Sequence, residues 1–229
     1  MGTSKGNSAM TVTAQSAAGP AHRGMPEKRK AIVRAARAVF GREGYTRTSV
    51  DTIAAEAGVS KRTIYNHFAD KEQLFQEVAL AGATEVTTAQ VQIADRHLYK
   101  IVDLERDLVD FALARVASLT VFADHWALVR TIEAEATRIR PAVLEAWQEA
   151  GPRETHRELS RRLAQFAEQG LLEVADYDQA ARHFNLLTFI SVTQPSFYGA
   201  IPLGQERIDE LVADGVRTFL RLYRPAVAG

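Results

Sequence analysis

The chain has no cysteine among its 229 residues. That excludes disulfides, zinc–thiolate sites, thiol nucleophiles and iron–sulfur clusters held by cysteine. It also fits a reducing, cytoplasmic setting. No basic segment followed by an apolar run opens the chain, so no secretory signal is expected. The longest uncharged stretch, His183 to Gln205, is broken by Asn185, Thr188, Gln194, Pro195, Gly199 and Pro202. A membrane-spanning helix needs about 20 predominantly apolar residues, so this stretch reads as a buried helix followed by a turn. Proline is absent from Glu27 to Arg140. Sustained alternation and Asn-Gly turns, the marks of strands and hairpins, are missing as well. The formal net charge is zero, with 28 basic and 28 acidic side chains.

What is present is an ordinary globular composition, 46% hydrophobic and 24% charged, enough for a sizeable core. The charge is unevenly spread. Residues 1–75 carry 12 Lys or Arg and 6 Asp or Glu, leaving 16 basic and 22 acidic for residues 76–229. A basic front end on an acidic body suggests a polyanionic partner for the front end.

Apolar residues recur at helical spacing, as in Ile32, Ala35, Ala36, Val39 and Phe40. The whole chain therefore reads as all-α. Residues 1–25, rich in Gly, Ser, Thr, Ala and Gln, read as a flexible tail. The first helix is expected over about 26–42, with Pro26 in its first turn and Gly41 and Gly44 at its exit. A second follows from Thr48 or Ser49, either one its cap, to Gly58, and a third runs from Ser60 to Phe68. A fourth starts after Asp70 and continues to about 93. Further helices are expected at about 103–121, 124–139, 142–149, 152–169, 176–194 and 205–223. This divides the chain into a tail (1–25), a three-helix unit (26–72) and a larger helical body (73–229).

The informative segment is Gly44 to Phe68. Two short helices flank Gly58-Val59-Ser60. Glycine takes a left-handed helix exit at little steric cost, Val59 plugs the angle, and Ser60 caps the next helix. This is helix-turn-helix grammar, in which the second helix enters a DNA major groove. At about 100° per residue, Ile64 and Phe68 point inward together while Arg62 and Asn66 point out, flanked by Thr63 and Tyr65. Lys61 and His67 lie nearer the edge. An outward Arg suits guanine O6 and N7, and an outward Asn suits adenine N6 and N7.

Residues 27–75 resemble the DNA-binding domain of the TetR family of transcriptional regulators. The resemblance rests on Phe40, Gly44-Tyr45, Ile53 through Ser60, Thr63 through Phe68 and Asp70 through Leu74. It implies base and phosphate contacts from Lys61, Arg62, Thr63, Tyr65, Asn66 and His67, and a phosphate contact from Lys71. Thr48 and Ser49, at the start of the second helix, would also meet the backbone. The C-terminal region resembles the AefR-like group of that family. The family resemblance implies a larger helical domain that dimerises and binds a small effector, with no cofactor. Dimer contacts are then expected from Tyr177, Ala181, Ile208, Leu211, Val212 and Phe219. Cavity-lining candidates are Phe111, Arg115, Trp126, Trp147, Phe166, His183, Phe184 and Thr188.

Catalysis has little support. The six histidines form no HExxH-type ligand pair, and neither a phosphate loop nor a Gly-x-Ser-x-Gly elbow is present. Two functions remain. One is an effector-released repressor, a homodimer on an inverted-repeat duplex, with no membrane partner. The other is a helical protein-interaction adaptor that does not bind DNA specifically. Salt-dependent binding to duplex DNA separates them.

Overall fold

The computed structural model describes residues 20–225, with side chains from Glu27 onward. Every regular element among the described residues is helical. The front end consists of α1 (Pro20–Glu43), α2 (Val50–Ala57) and α3 (Lys61–Tyr65). The body holds α4 (Lys71–Leu98), α5 (Leu104–Val121), α6 (Ala123–Ala134), α7 (Pro141–Gln148) and α8 (Glu154–Glu168). It is completed by α9 (Tyr177–Asn185), the one-turn α10 (Ser191–Thr193) and α11 (Gln205–Tyr223).

Several boundaries differ from expectation. α1 begins at Pro20, inside the stretch read as a tail, so Pro20 rather than Pro26 occupies the first turn. Residues 1–19 of that stretch lie outside the described residues. α3 closes at Tyr65, short of Phe68, and α4 continues to Leu98, past 93. The break expected before Pro152 is instead a π-helical turn, Glu149–Arg153, that joins α7 to α8. The wider turn accommodates a residue that has no N–H to donate. A second π turn, Leu186–Ile190, joins α9 to α10.

One apolar core runs from the front end into the body. Ile32, Val39 and Phe40 of α1 are fully buried, as are Leu74 and Phe75 of α4. Phe40 meets Phe75 edge-on at 5.1 Å. Burying side chains of this size contributes roughly 1.5–3 kcal/mol each. α1 is held to α4 by ion pairs as well, Arg29–Glu77 and Arg37–Glu85, each at 2.7 Å. At the far end, α11 crosses the second π turn so closely that a Cβ on Gly215 would lie 2.0 Å from the Leu187 carbonyl oxygen. Among the described residues, no single helix is long and apolar enough to cross a membrane.

Candidate DNA interface and ligand cavity

The front-end turn is built by local capping. Ser49 Oγ accepts from the Thr52 amide at 3.0 Å, which starts α2. Gly58 ends it in the left-handed region at φ 64°, where a side chain would be strained. Ser60 Oγ accepts from the Thr63 amide at 3.1 Å and starts α3. Asp70 caps α4 through the Gln73 amide at 2.7 Å. Ile64 and Phe68 are buried beneath α3, and Val59 packs against the same core.

The opposite face of α3 is open. Arg62, Tyr65 and Asn66 are exposed, and Thr63 and His67 partly so. Lys61 is exposed and forms a 2.9 Å ion pair with Asp51 of α2. That bond raises the pKa of its ammonium. Ser49 is exposed at the head of α2.

One expected phosphate contact requires correction, and a second residue of that set bonds within the front end. Thr48 is buried, and its hydroxyl donates to the Gly44 carbonyl at 2.6 Å, so it holds the turn and does not face outward. Lys71 sits over the Tyr45 ring, 4.8 Å from the centroid. Its ammonium donates to the carbonyls of Tyr45, Thr48 and Thr46 at 3.0, 3.1 and 3.4 Å. Lys71 ties down the loop that positions α2.

The body contains a cavity of about 360 Å³, within the range of small-molecule sites, roughly 300–1,000 Å³. Three of the expected lining residues, Arg115, Trp126 and Trp147, do line it. Phe111 borders only a much smaller void beside it. Phe166, His183, Phe184 and Thr188 do not line the main cavity. Phe166 and Phe184 are core residues, Phe184 packing edge-on to Phe219 at 5.1 Å. His183 pairs with the Tyr223 hydroxyl at 2.8 Å, and the Thr188 hydroxyl donates to the Phe184 carbonyl.

Gln90, His125, Asn185, Phe189 and Tyr198 line the cavity but were not anticipated. Gln90 left a sequence trace, because it lies four residues from both Val86 and Ala94 on the apolar face of α4. Tyr198 left none. It and Phe197 adopt positive φ, 50° and 48°, unusual for residues with side chains. Arg130 holds the turn by donating to the Tyr198 carbonyl at 2.9 Å. The Tyr198 ring then stacks on Trp126 at 5.7 Å and its hydroxyl donates to Glu133 at 2.6 Å. Burial, and then that carboxylate, push the phenol pKa well above its usual range.

His125 is buried against Gly82 and Arg37. Burial, and then the Arg37 charge, push its pKa down to about 4, with Glu85 opposing. A depressed pKa on a base means that the unfolded chain binds the extra proton. The stability from His125 is fully present above pH 6.5 and is lost as pH falls toward 4. At pH 5 the expected loss is about 2 kcal/mol. Urea unfolding at pH 7 and pH 5 should show this drop, and His125→Gln should remove most of it. An unchanged pH dependence in the variant would place the acid sensitivity elsewhere.

The dimer-contact reading is also corrected. Ala181, Val212 and Phe219 are fully buried within the single chain, so they belong to its own core. Ile208 and Leu211 are half-buried and Tyr177 is exposed. Leu186 and Leu222, not anticipated, are 55% and 58% exposed. Helical spacing places Ile208, Leu211 and Leu222 on one stripe of α11 beside the buried one.

A helix-turn-helix with an open basic face, set on a helical body with an internal cavity, defines a transcriptional regulator. Residues 32–78 match the model for bacterial regulatory proteins of the tetR family. Residues 107–225, just over half of the chain, match the C-terminal domain of AefR-like transcriptional repressors. The chain belongs to the TetR family.

A TetR-family regulator structure from Mesorhizobium loti superposes with a TM-score of 0.79 at 29% identity, covering 88% of this chain and 98% of that one. The flavonoid-responsive regulator FrrA superposes with a TM-score of 0.65 at 28% identity, covering 88% of this chain and 100% of that one. The HTH-type transcriptional regulator SAR2658 of Staphylococcus aureus is 31% identical over 117 residues, 50% of this chain and 58% of its own length. YhgD of Bacillus subtilis, another HTH-type regulator, is 42% identical over 52 residues, 23% of this chain and 27% of its own length. The matches thus span between a quarter and three-fifths of these curated relatives.

Proposed function

We propose that this chain is a cytoplasmic, effector-released repressor that binds an inverted-repeat operator as a homodimer. Residues 26–72 form its DNA-binding unit and 73–229 its effector-binding and dimerising unit. The observation that carries this reading is the α3 surface. Arg62 and Tyr65, with Asn66 at the C-terminal cap, stand exposed on a helix whose other face is locked into the core. An adaptor has no need of this open Arg–Asn face at the tip of a helix-turn-helix.

One such unit makes too few contacts for tight, specific binding, and a two-fold dimer matches an inverted repeat. Leu186 on the π turn and Ile208, Leu211 and Leu222 on α11 form the apolar surface suited to a second copy. Leu222→Glu should shift sedimentation at micromolar concentration from dimer to monomer while leaving the helical content unchanged. A wild-type chain that sediments only at 25.3 kDa would overturn the dimer.

The position of α6 supports a route from the cavity to the helix-turn-helix. His125, Trp126, Val129 and Glu133 of this helix line the cavity. The same helix packs along α1, where the Thr131 hydroxyl donates to the Phe40 carbonyl at 3.1 Å. Just past its end, Glu135 accepts from the Thr46 amide at 2.9 Å and from the Thr46 hydroxyl, in the loop before α2. Burial opposes the Glu135 charge, but these bonds hold its pKa below the usual carboxylate range. α4 supplies a second lever, running from Lys71 beneath the turn to Gln90 in the cavity. An effector that shifts α6 or α4 changes the spacing of the two α3 helices, which must lie about one DNA turn apart.

The test is selection of duplexes from a random pool, followed by salt titration of the recovered sequence. Specific binding that weakens steeply with salt supports the repressor, and equal weak binding to all sequences supports the adaptor. Calorimetry of a confirmed effector with and without operator must then show reciprocal weakening.

A further inference from the structure

Resting on the effector reading above, we infer that the cavity takes an anionic ligand, a carboxylate carried on a flat apolar body. The central observation is Arg115. It lines the cavity from α5 and is only 4% exposed. Its Nε donates to Gln90 Oε1 at 3.1 Å and one Nη to Asn185 Oδ1 at 2.8 Å. Both acceptors are neutral amides. Among the described residues Arg115 forms no ion pair, and Nη1 has no protein partner. A buried guanidinium without a counter-charge is costly, because two neutral amides replace only part of the hydration that burial removes.

The neighbouring groups point the same way. Trp147 Nε1, a donor that cannot accept, lines the same cavity and has no protein partner. Two donor-only groups around one space call for acceptors on the ligand, and the positive charge of one makes an anion the better acceptor. Burial lowers the Arg115 pKa to about 10, so it remains charged at neutral pH.

The apolar body follows from the rest of the wall. Trp126 lies between Phe189 and Tyr198, with ring centroids at 5.6 and 5.7 Å. Leu159, Val129 and Val86 complete the apolar lining. The Arg115 guanidinium itself lies 5.0 Å from the Phe189 ring centroid, so a carboxylate meeting it places an attached ring system beside these aromatics. Two carboxylates compete. Glu158 is buried beside the smaller void that Arg115 also lines, but it is committed to Arg161 and to Arg162 at 2.7 Å. The other is Glu133. It is exposed and already accepts from Tyr198, so it marks the rim and not the interior.

The experiment uses three two-ring compounds that differ only in the head group: 2-naphthoate, 2-naphthamide and 2-naphthylmethylammonium. Each is titrated into the full-length protein by calorimetry at pH 7. Naphthoate should bind at least tenfold more tightly than the amide, and the ammonium more weakly than either. Arg115→Gln should abolish the naphthoate preference while leaving amide binding within about threefold. Should Arg115→Gln not fold, the wild-type comparison of acid with amide decides by itself, and Arg115→Lys should retain the preference.

Equal binding of acid and amide, preferred binding of the ammonium, or no binding of any of the three would overturn the inference. Failure of the effector reading looks different. In that case naphthoate binds with its preference intact but leaves the affinity for the selected operator unchanged.

Discussion

Gly215→Ala is expected to lower the melting temperature by roughly 6–12 °C, corresponding to about 3 kcal/mol for a chain of this size. Gly215 lies inside α11, where alanine normally improves a helix by about 1 kcal/mol. Here the added Cβ would lie 2.0 Å from the Leu187 carbonyl oxygen and 2.7 Å from its carbon. Both atoms belong to the backbone of the π turn, so no side chain can swing away to make room. Overpacking therefore outweighs helix propensity, and the sign of the change is diagnostic. Gly204→Ala is the control, since a Cβ there meets nothing within 4 Å. Melting followed at 222 nm, at a fixed protein concentration, checks both variants. A Gly215→Ala protein as stable as wild type would show that α11 and the π turn do not pack this closely.

Arg62→Ala is expected to cost roughly 1–3 kcal/mol for each half-site, and so about 2–6 kcal/mol for a symmetric dimer on its operator. Arg62 is exposed on α3 and forms no ion pair among the described residues, so a base contact from it requires no internal bond to break first. Lys61, by contrast, must share its charge with Asp51. The loss at Arg62 should concentrate on one base pair per half-site. Fluorescence anisotropy on the selected operator and on duplexes substituted at each position reads this directly. If the variant keeps the wild-type sequence preference, the outward face of α3 has been assigned wrongly. Uniform weakening across all duplexes would recast Arg62 as a phosphate contact.

The helix-turn-helix was legible because its determinants are local. Ser49, Gly58, Ser60 and Asp70 each act within about four residues of themselves, through caps and one left-handed turn. Ile64 and Phe68 share a face by spacing alone. The open Arg62–Asn66 face follows from the same arithmetic, without reference to the rest of the chain. The internal bonds of Thr48 and Lys71 were not legible, for the opposite reason. Their polar groups bond to Gly44 and to the Tyr45–Thr48 loop, and a motif read in one dimension does not show which acceptors fold back within reach.

The sequence by itself determined an all-helical chain with a DNA-reading front end and a family resemblance that extends into the body. Tertiary structure decided which apolar residues of α9, the π turn after it and α11 remain outside. Ala181, Val212 and Phe219 turn inward, while Leu186 and Leu222 are left uncovered. It also decided which polar residues meet in the cavity, bringing Gln90 and Asn185 onto Arg115 from 25 and 70 positions away. Periodicity shows that a helix has an apolar face, but only the packing of other helices determines what that face covers. A buried charge is defined by the partners that reach it, and those come from distant parts of the chain.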